Sequence, residues 1–541
     1  MARVSGRRAC WFLLPAVAAA AEPGYVDPAA CRPCHSALYD SFQKTGMGRS
    51  FSKTVAPAIG TFYHRASNRQ YQVLQRAGEY FLRRSQLDAK GEEVNVLERR
   101  IDYAMGSGDH ARSFLHRKPG GQLVELPLSW YGFWAMSPGY DRADHLDFRR
   151  EISDDCLFCH NGYPSAANGG LAGGIDCQRC HGPGERHLRE PSRATIVNPA
   201  RLPAERRMEV CLQCHLETES RGIPDAIRRA GRSAFSYRPG EPLGGYKIYF
   251  DHAPGSGRDD KFEINHAAYR LLKSKCRPLL CTTCHDPHQA EPPKPYREVC
   301  QGCHRTAHAA ASTGCVGCHM PKRRTEDAVH VAMTDHLIQR RPPIGEPLAG
   351  RREDHTPYRG PLVQLYPPQA DPLYLAVAQV REANNLERGI AMLESAPGKS
   401  AFAFDLGEAY RRAGNLERAV RSYRQALERE PDSAKLLRAL GDALLRQGKT
   451  RLATGYLERA RDKLSLAIAY GQQGRVEDSL RLLREAVEEN PDAPLAWLNL
   501  GVTLEQAGKS AEAEAAYREA IRVQPDFTEA RHHLNKLRTA R

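Results

Sequence analysis

Past its N-terminus the chain holds no apolar run long enough to cross a bilayer, so no membrane span is expected once a leader is removed. It has no excess of acid: 78 Lys and Arg stand against 64 Asp and Glu, a net charge of +14. It also lacks spare cysteine. Of its 16 cysteines, 14 fall into seven copies of one pentapeptide, leaving only Cys10 and Cys276. At 541 residues it is too long for one compact core, and roughly two or three domains are expected.

The pentapeptide is C-x-x-C-H. Its copies run Cys31 and Cys34 to His35, Cys156 and Cys159 to His160, Cys177 and Cys180 to His181, and Cys211 and Cys214 to His215. Three more are crowded into 39 residues: Cys281 and Cys284 to His285, Cys300 and Cys303 to His304, and Cys315 and Cys318 to His319. This is the spacing for covalent attachment of a c-type haem. Two thiols three residues apart reach the two vinyl groups of one porphyrin, and the adjoining histidine becomes the proximal iron ligand. A given cysteine starts the pattern by chance roughly once in a thousand, so seven copies are not noise. Zinc would need two cysteine pairs per metal and gives no reason for a histidine after every second cysteine. A disulfide framework leaves the histidines equally unexplained.

Residues 1–21 read as a secretory signal: Arg3, Arg7 and Arg8, then an apolar core Ala9 to Ala20, then a small-residue cleavage site at Ala19-Ala20-Ala21. Export to the periplasm agrees with haem attachment. Cleavage would remove three arginines and leave 14 − 3 = +11. Nucleic-acid binding is not inferred from this charge, because haem propionates are natural partners for Arg149, Arg150, Arg206, Arg207, Arg323 and Arg324.

The expected fold is mainly α. Residues 22–340 form a seven-haem cytochrome c domain of short helices and irregular, Gly- and Pro-rich loops. Within it, 60–140 reads as a small β-rich insert. One hairpin pairs Tyr71 to Gln75 with Tyr80 to Leu82 around Ala77-Gly78; another pairs Ser113 to His116 with Gln122 to Leu128 around Lys118 to Gly121. Its aromatics Trp130, Tyr131, Phe133 and Trp134 either lie on a porphyrin or make an ordinary core cluster. Residues 341–370 read as a Pro-rich linker.

Residues 371–541 repeat with period 34. Leu406-Gly407, Tyr410, Ala419, Tyr423, Ala426 and Pro431 recur as Leu440-Gly441 to Ala460, Leu466-Ala467 to Pro491, and Leu500-Gly501 to Pro525. Gly414 to Gly448 and Gly474 to Gly508 are both 34 residues, but Gly448 to Gly474 is 26, so the second copy has lost its exit turn. Asn385-Leu386-Glu387-Arg388 marks a degenerate earlier copy. The pattern is that of tetratricopeptide repeats: an α-α superhelix whose concave face takes a protein or peptide, or which only caps or dimerises the haem domain.

Seven low-spin haems need seven sixth ligands. Twelve further histidines are available: His64, His110, His116, His145, His187, His252, His266, His288, His308, His330, His336 and His355. The favoured distal candidates are His110, His187, His266, His288, His330 and His336, with Met47 as a thioether near the first motif. Cys276 reads as a buried thiol.

The chain resembles the exported multihaem cytochromes of the cytochrome c-554 type, in the version carrying a C-terminal tetratricopeptide array. The resemblance rests on the motifs with their surroundings: Thr45-Gly46-Met47, Gly106 to Ala111, Gly174 to Gly184, Cys281 to His288, and Cys318 to Pro321 with Thr334-Asp335-His336. It implies electron carriage between periplasmic redox proteins through closely stacked haems. In related cytochromes a histidine ligand often stands where Met47 stands here. The expected function is periplasmic electron transfer through seven mostly bis-histidine haems. The alternative is a reductase or oxidoreductase of a small nitrogen or sulfur compound at one five-coordinate haem, but no motif replaces its histidine with lysine.

Overall fold

The computed structural model describes residues 24–53, 57–108, 110–164, 171, 173–216, 223–224, 226–276, 279–292, 294–304, 314–341 and 345–539. The expected signal and His308 lie outside the described residues.

The β-rich insert is larger than its sequence suggests. Gly60–His64, Arg69–Arg76, Glu79–Leu87 and Glu93–Arg100 form one antiparallel meander. Phe51–Ser52, Tyr103–Gly106, Arg112–Arg117, Leu123–Trp130 and Trp134–Met136 form a second sheet in that order. Both expected hairpins are present, with Arg76 paired to Glu79 and Arg117 to Leu123. The first turns tightly because Ala77 and Gly78 both take positive φ, 50° and 82°, the backbone that a two-residue hairpin demands. Tyr71, Val73, Leu82, Leu126, Leu128 and Met136 make the insert's core.

Two expectations need correcting. The N-terminal part is a helix and sheet mixture rather than mainly helical. The stretch read as a linker also carries a strand: Leu362–Tyr366 pairs with Lys247–His252, which pairs with Ala226–Arg228. Pro361 and Pro367 flank that strand without interrupting it, and strand ends tolerate proline. Around the motifs the backbone follows expectation, with helices as short as Gln178–His181 and Gly314–His319 joined by irregular loops.

The C-terminal part is an array of antiparallel helix pairs. They are Pro372–Arg381 with Leu386–Ser395, Ala403–Arg412 with Leu416–Arg429, Ala434–Arg446 with Thr450–Ala460, Lys463–Gln472 with Val476–Glu489, and Pro494–Gln506 with Ser510–Val523. Thr528–Thr539 closes the array. The degenerate first copy is therefore a real pair. Gly407 lies against Tyr423, Gly441 against Leu457 and Gly501 against Tyr517, so closely that a Cβ would strike the larger side chain. The shortened repeat also has its explanation. Thr450–Ala460 has 11 residues where the second helices of the pairs on either side and of the last pair have 14, and Arg461 ends it in a left-handed conformation (φ 55°) in place of the proline turn. Asp462 then caps the next helix, accepting from Ser465 N at 2.8 Å.

The array meets the N-terminal part at both ends. At its start, Ile227, Ile248, Phe250 and Leu362 share one apolar core with Val377 and Val380. Towards its end, the insert's first sheet grips the repeat turns. Arg99 donates to Asp492 (Nε to Oδ2, 2.9 Å) and Arg69 to Asp526 (2.7 Å), while Arg84 donates to the carbonyls of Arg522 and Val523 (3.0 and 3.1 Å). Arg69 and Arg84 are themselves buried on Asp147, which also accepts from Tyr71 and His145. Among the described residues no helix is long and apolar enough to cross a membrane.

Candidate functional site

Each described C-x-x-C-H copy lies on or at the end of a short helical turn, from Asp154–His160 and Ala204–His215 to the 3-10 turn Cys281–Thr283. A turn of about 3.6 residues puts thiols three apart on one side, with the histidine following. Among the described residues no two cysteines are joined in a disulfide. Among the described residues no three His, Cys, Asp or Glu side chains gather as a metal cluster.

The motifs approach one another in pairs. Cys31 lies beside Cys177, Cys211 beside Cys281, and Cys300 beside Cys315. Histidines do the same. The His35 and His187 rings stand 6.4 Å apart between centroids at 17°, His181 and His288 6.0 Å at 25°, and His285 and His336 6.2 Å at 33°. In each pair a motif histidine faces a non-motif one. A transition metal takes imidazole nitrogen at about 2.0 Å, and with ~1.1 Å from nitrogen to ring centre on each side, the centres of two imidazoles on opposite sides of one metal stand ~6.2 Å apart.

The outer nitrogens of several of these rings are engaged. His181 Nδ1 donates to Val197 O (2.8 Å), His187 Nδ1 to the Thr195 hydroxyl (3.1 Å), His288 Nδ1 to the Asp286 carboxylate (3.1 Å) and His336 Nδ1 to Thr334 O (3.0 Å). His319 Nδ1 donates to Gln339 O (2.7 Å). This is how a metal-ligating histidine is fixed in orientation and tautomer, with Nε2 left for the metal. Burial pushes the pKa of His181, His285 and His336 down, which keeps them in the neutral, ligating form.

Burial lowers the pKa of His160, to about 4, and of His215.

The remaining candidates divide. His110 is exposed on the turn beside Gly106, whose backbone lies against the His160 ring, and its own N donates to Ser107 Oγ (2.9 Å). His266 does not stand across from a motif histidine. It is fully buried at the start of Ala267–Lys273, its Nδ1 accepts from Glu263 N (3.1 Å), and its Nε2 lies 3.1 Å from the Glu263 carboxylate. His330 is bracketed by Tyr131 and Phe133 (5.4 and 5.7 Å). Trp130 and Trp134 pack on each other at 5.1 Å, an ordinary core cluster. His64 and His145 have both nitrogens engaged.

Met47 sits elsewhere than its sequence position suggests. His187 occupies the place across from His35, while the Met47 loop packs on the second motif: Ser50 Oγ donates to both Met47 O and His160 O (2.8 Å each). The arginines singled out for propionates are mostly spent. Arg150 pairs with Glu125, Arg206 with Glu209 and Arg323 with Asp260 and Asp335, while Arg207 and Arg324 donate to backbone carbonyls.

A family model described as tetratricopeptide repeat matches residues 404–463 and 464–536. The chain is 28% identical over 136 residues to Protein FlbA of Caulobacter vibrioides, covering 24% of this chain and 23% of that one. It is 25% identical over 185 residues to human Protein O-mannosyl-transferase TMTC1, covering 26% and 21%. The chain thus spans less than a quarter of the length of the curated relatives it matches. Among solved structures, YrrB, titled a TPR protein with an unusual peptide-binding site, is 23% identical with a TM-score of 0.27, covering 30% of this chain and 88% of that one. MamA from Desulfovibrio magneticus RS-1 is 18% identical with a TM-score of 0.27, covering 29% and 98%. The C-terminal array consists of tetratricopeptide repeats, and repeats of this kind suggest a protein or peptide partner.

Proposed function

We propose that the region 22–340 carries seven covalently attached c-type haems and moves electrons between redox partners in the periplasm, with the repeat array holding a protein partner. One observation carries this reading: three imidazole pairs with ring centres 6.0–6.4 Å apart, each joining a C-x-x-C-H histidine to a histidine from a distant part of the chain. Bound iron would supply a one-electron couple. The cysteines would tether the porphyrin, with His35, His181 and His285 as the ligands next to them in the chain, and His187, His288 and His336 would hold the iron with them and exclude exogenous ligands. The thiol contacts Cys31 to Cys177 and Cys211 to Cys281 bring attachment points of different motifs together, which favours short edge-to-edge steps.

The test is expression with a signal in a host competent for cytochrome maturation. Intact mass with increments for seven haems and purely low-spin EPR signals support the reading. Colourless protein of unmodified mass refutes it. A stoichiometric high-spin signal with turnover of nitrite or hydroxylamine favours the enzyme instead.

A further inference from the structure

The first helices of neighbouring repeat pairs touch along the array. Ala434–Arg446 lies against Lys463–Gln472, and that helix against Pro494–Gln506. The second helices of neighbouring pairs stand further apart, so the first helices take the inner side of the curve. Their faces turned away from the second helices adjoin one another there.

That inner surface changes character along its length. On Ala434–Arg446 the leucines are turned inward, and the opposite stripe exposes Lys435, Arg438 and Arg446 beside the half-buried Asp442. Arg438 has Asp462 at 3.6 Å. Lys435 sets its ammonium over the Phe404 ring (4.0 Å). Arg412, at the position of the preceding pair that matches Arg446, donates to the Val380 carbonyl (3.1 Å) and to no carboxylate among the described residues. The next two first helices are different. Each buries its own core residues, yet each is apolar on the opposite side as well: Leu464 and Ile468 on one, Leu495, Leu498 and Val502 on the other. The spacings of three and four residues set each group on one face. Leu495 is 48% exposed and the other four are half-buried. A helix that is apolar all round is a helix covered on both sides, and an exposed apolar patch beside charge marks a binding surface.

We propose that this inner face takes an extended segment of a protein partner in which apolar side chains adjoin carboxylates. The apolar side chains lie on Leu464, Ile468, Leu495, Leu498 and Val502, and the carboxylates meet Lys435 and Arg446. This rests on the reading of the array as the holder of a protein partner and adds the chemistry of what is held. Charge complementarity selects this occupant. A second copy paired about a two-fold axis would set the cations either on its partner's cations or on its apolar stripe, and both arrangements leave charge unmatched. A bilayer is flat and does not follow the inside of a curve.

The test is fluorescence anisotropy of the full chain with short fluorescein-labelled peptides that join a leucine-rich half to an aspartate-rich half, made in both orders. Controls carry lysine for aspartate or serine for leucine. Expected is saturable binding of the acidic, leucine-rich peptide in one order, weakened by salt and absent with both controls. Leu495→Asp should weaken it about tenfold or more, and so should Lys435→Glu combined with Arg446→Glu. The charge-reversed protein should in exchange bind the lysine peptide, a gain that misfolding cannot produce. If Leu495→Asp does not accumulate, that exchange decides. No saturable binding in either order overturns the proposal, as does binding that ignores the charge reversal. A dimer in sedimentation that Leu495→Asp dissolves gives the face to a second copy and overturns it too. Peptide binding by a wild type that carries no haem refutes electron carriage and leaves this proposal standing, so the two fail separately.

Discussion

Replacing Asp147 with Asn should be among the most damaging single changes in the insert. The Asp147 side chain is 0% exposed and lies 3.0 Å from Arg69 and 3.2 Å from Arg84, whose side chains are 1% and 0% exposed. Removing one member of a buried ion pair leaves a charge with neither water nor partner, at about 3–5 kcal/mol. Here two guanidiniums lose their buried counter-ion: Arg69 keeps the His145 carbonyl and Asp526, which is 43% exposed, and Arg84 keeps only backbone carbonyls. Asp526→Asn should therefore cost no more than about 1 kcal/mol. Urea titration of both variants, read from the transition that exposes the insert, measures the difference. A loss below about 1 kcal/mol for Asp147→Asn would refute the account of this cluster. The same group sets a pH dependence. Burial pushes its carboxyl up, but His145, Arg69 and Arg84 overcome that and hold it well below the usual carboxylate range. Its stabilising share is fully present above the unfolded-state pKa, about 3.9, and is lost as pH falls towards the depressed native value. In Asp147→Asn that share of the acid sensitivity should vanish.

Alanine at His187, His288 or His336 should each convert one haem from low to high spin and open it to cyanide, seen by EPR and optical titration; His266→Ala should leave the spin state unchanged. Met47→Leu should leave the haem of His35 low-spin, since His187 stands across from it; a high-spin signal there would place the thioether as its ligand. Gly501→Val should drive a side chain into Tyr517 and cost the array about 1–3 kcal/mol, visible in thermal melts followed by circular dichroism.

Much of this was legible in the sequence because the signals are local. A positive-φ pair at Ala77-Gly78 marks a hairpin, and small residues at Gly407, Gly441 and Gly501 mark where helices must touch. The strand Leu362–Tyr366 was hidden by the prolines around it, which on a residue-by-residue reading look like a linker. Distal pairing was harder still. His35 and His187 are 152 positions apart, and nothing near either announces the other. His266 looked as good as His288 by context, yet it is fully buried with Nδ1 held by Glu263 N and Nε2 beside the Glu263 carboxylate, whereas His288 stands across from His181 with only Nδ1 turned to Asp286.

An arch with both feet in the same foundation cannot lengthen. Here Asp492 and Asp526 are gripped by the insert while the first helix of the array packs on the N-terminal sheet. Any molecule cradled by this array meets a curvature fixed before it arrives. Its distance from the cysteine motifs is then set by masonry rather than by the strength of its grip.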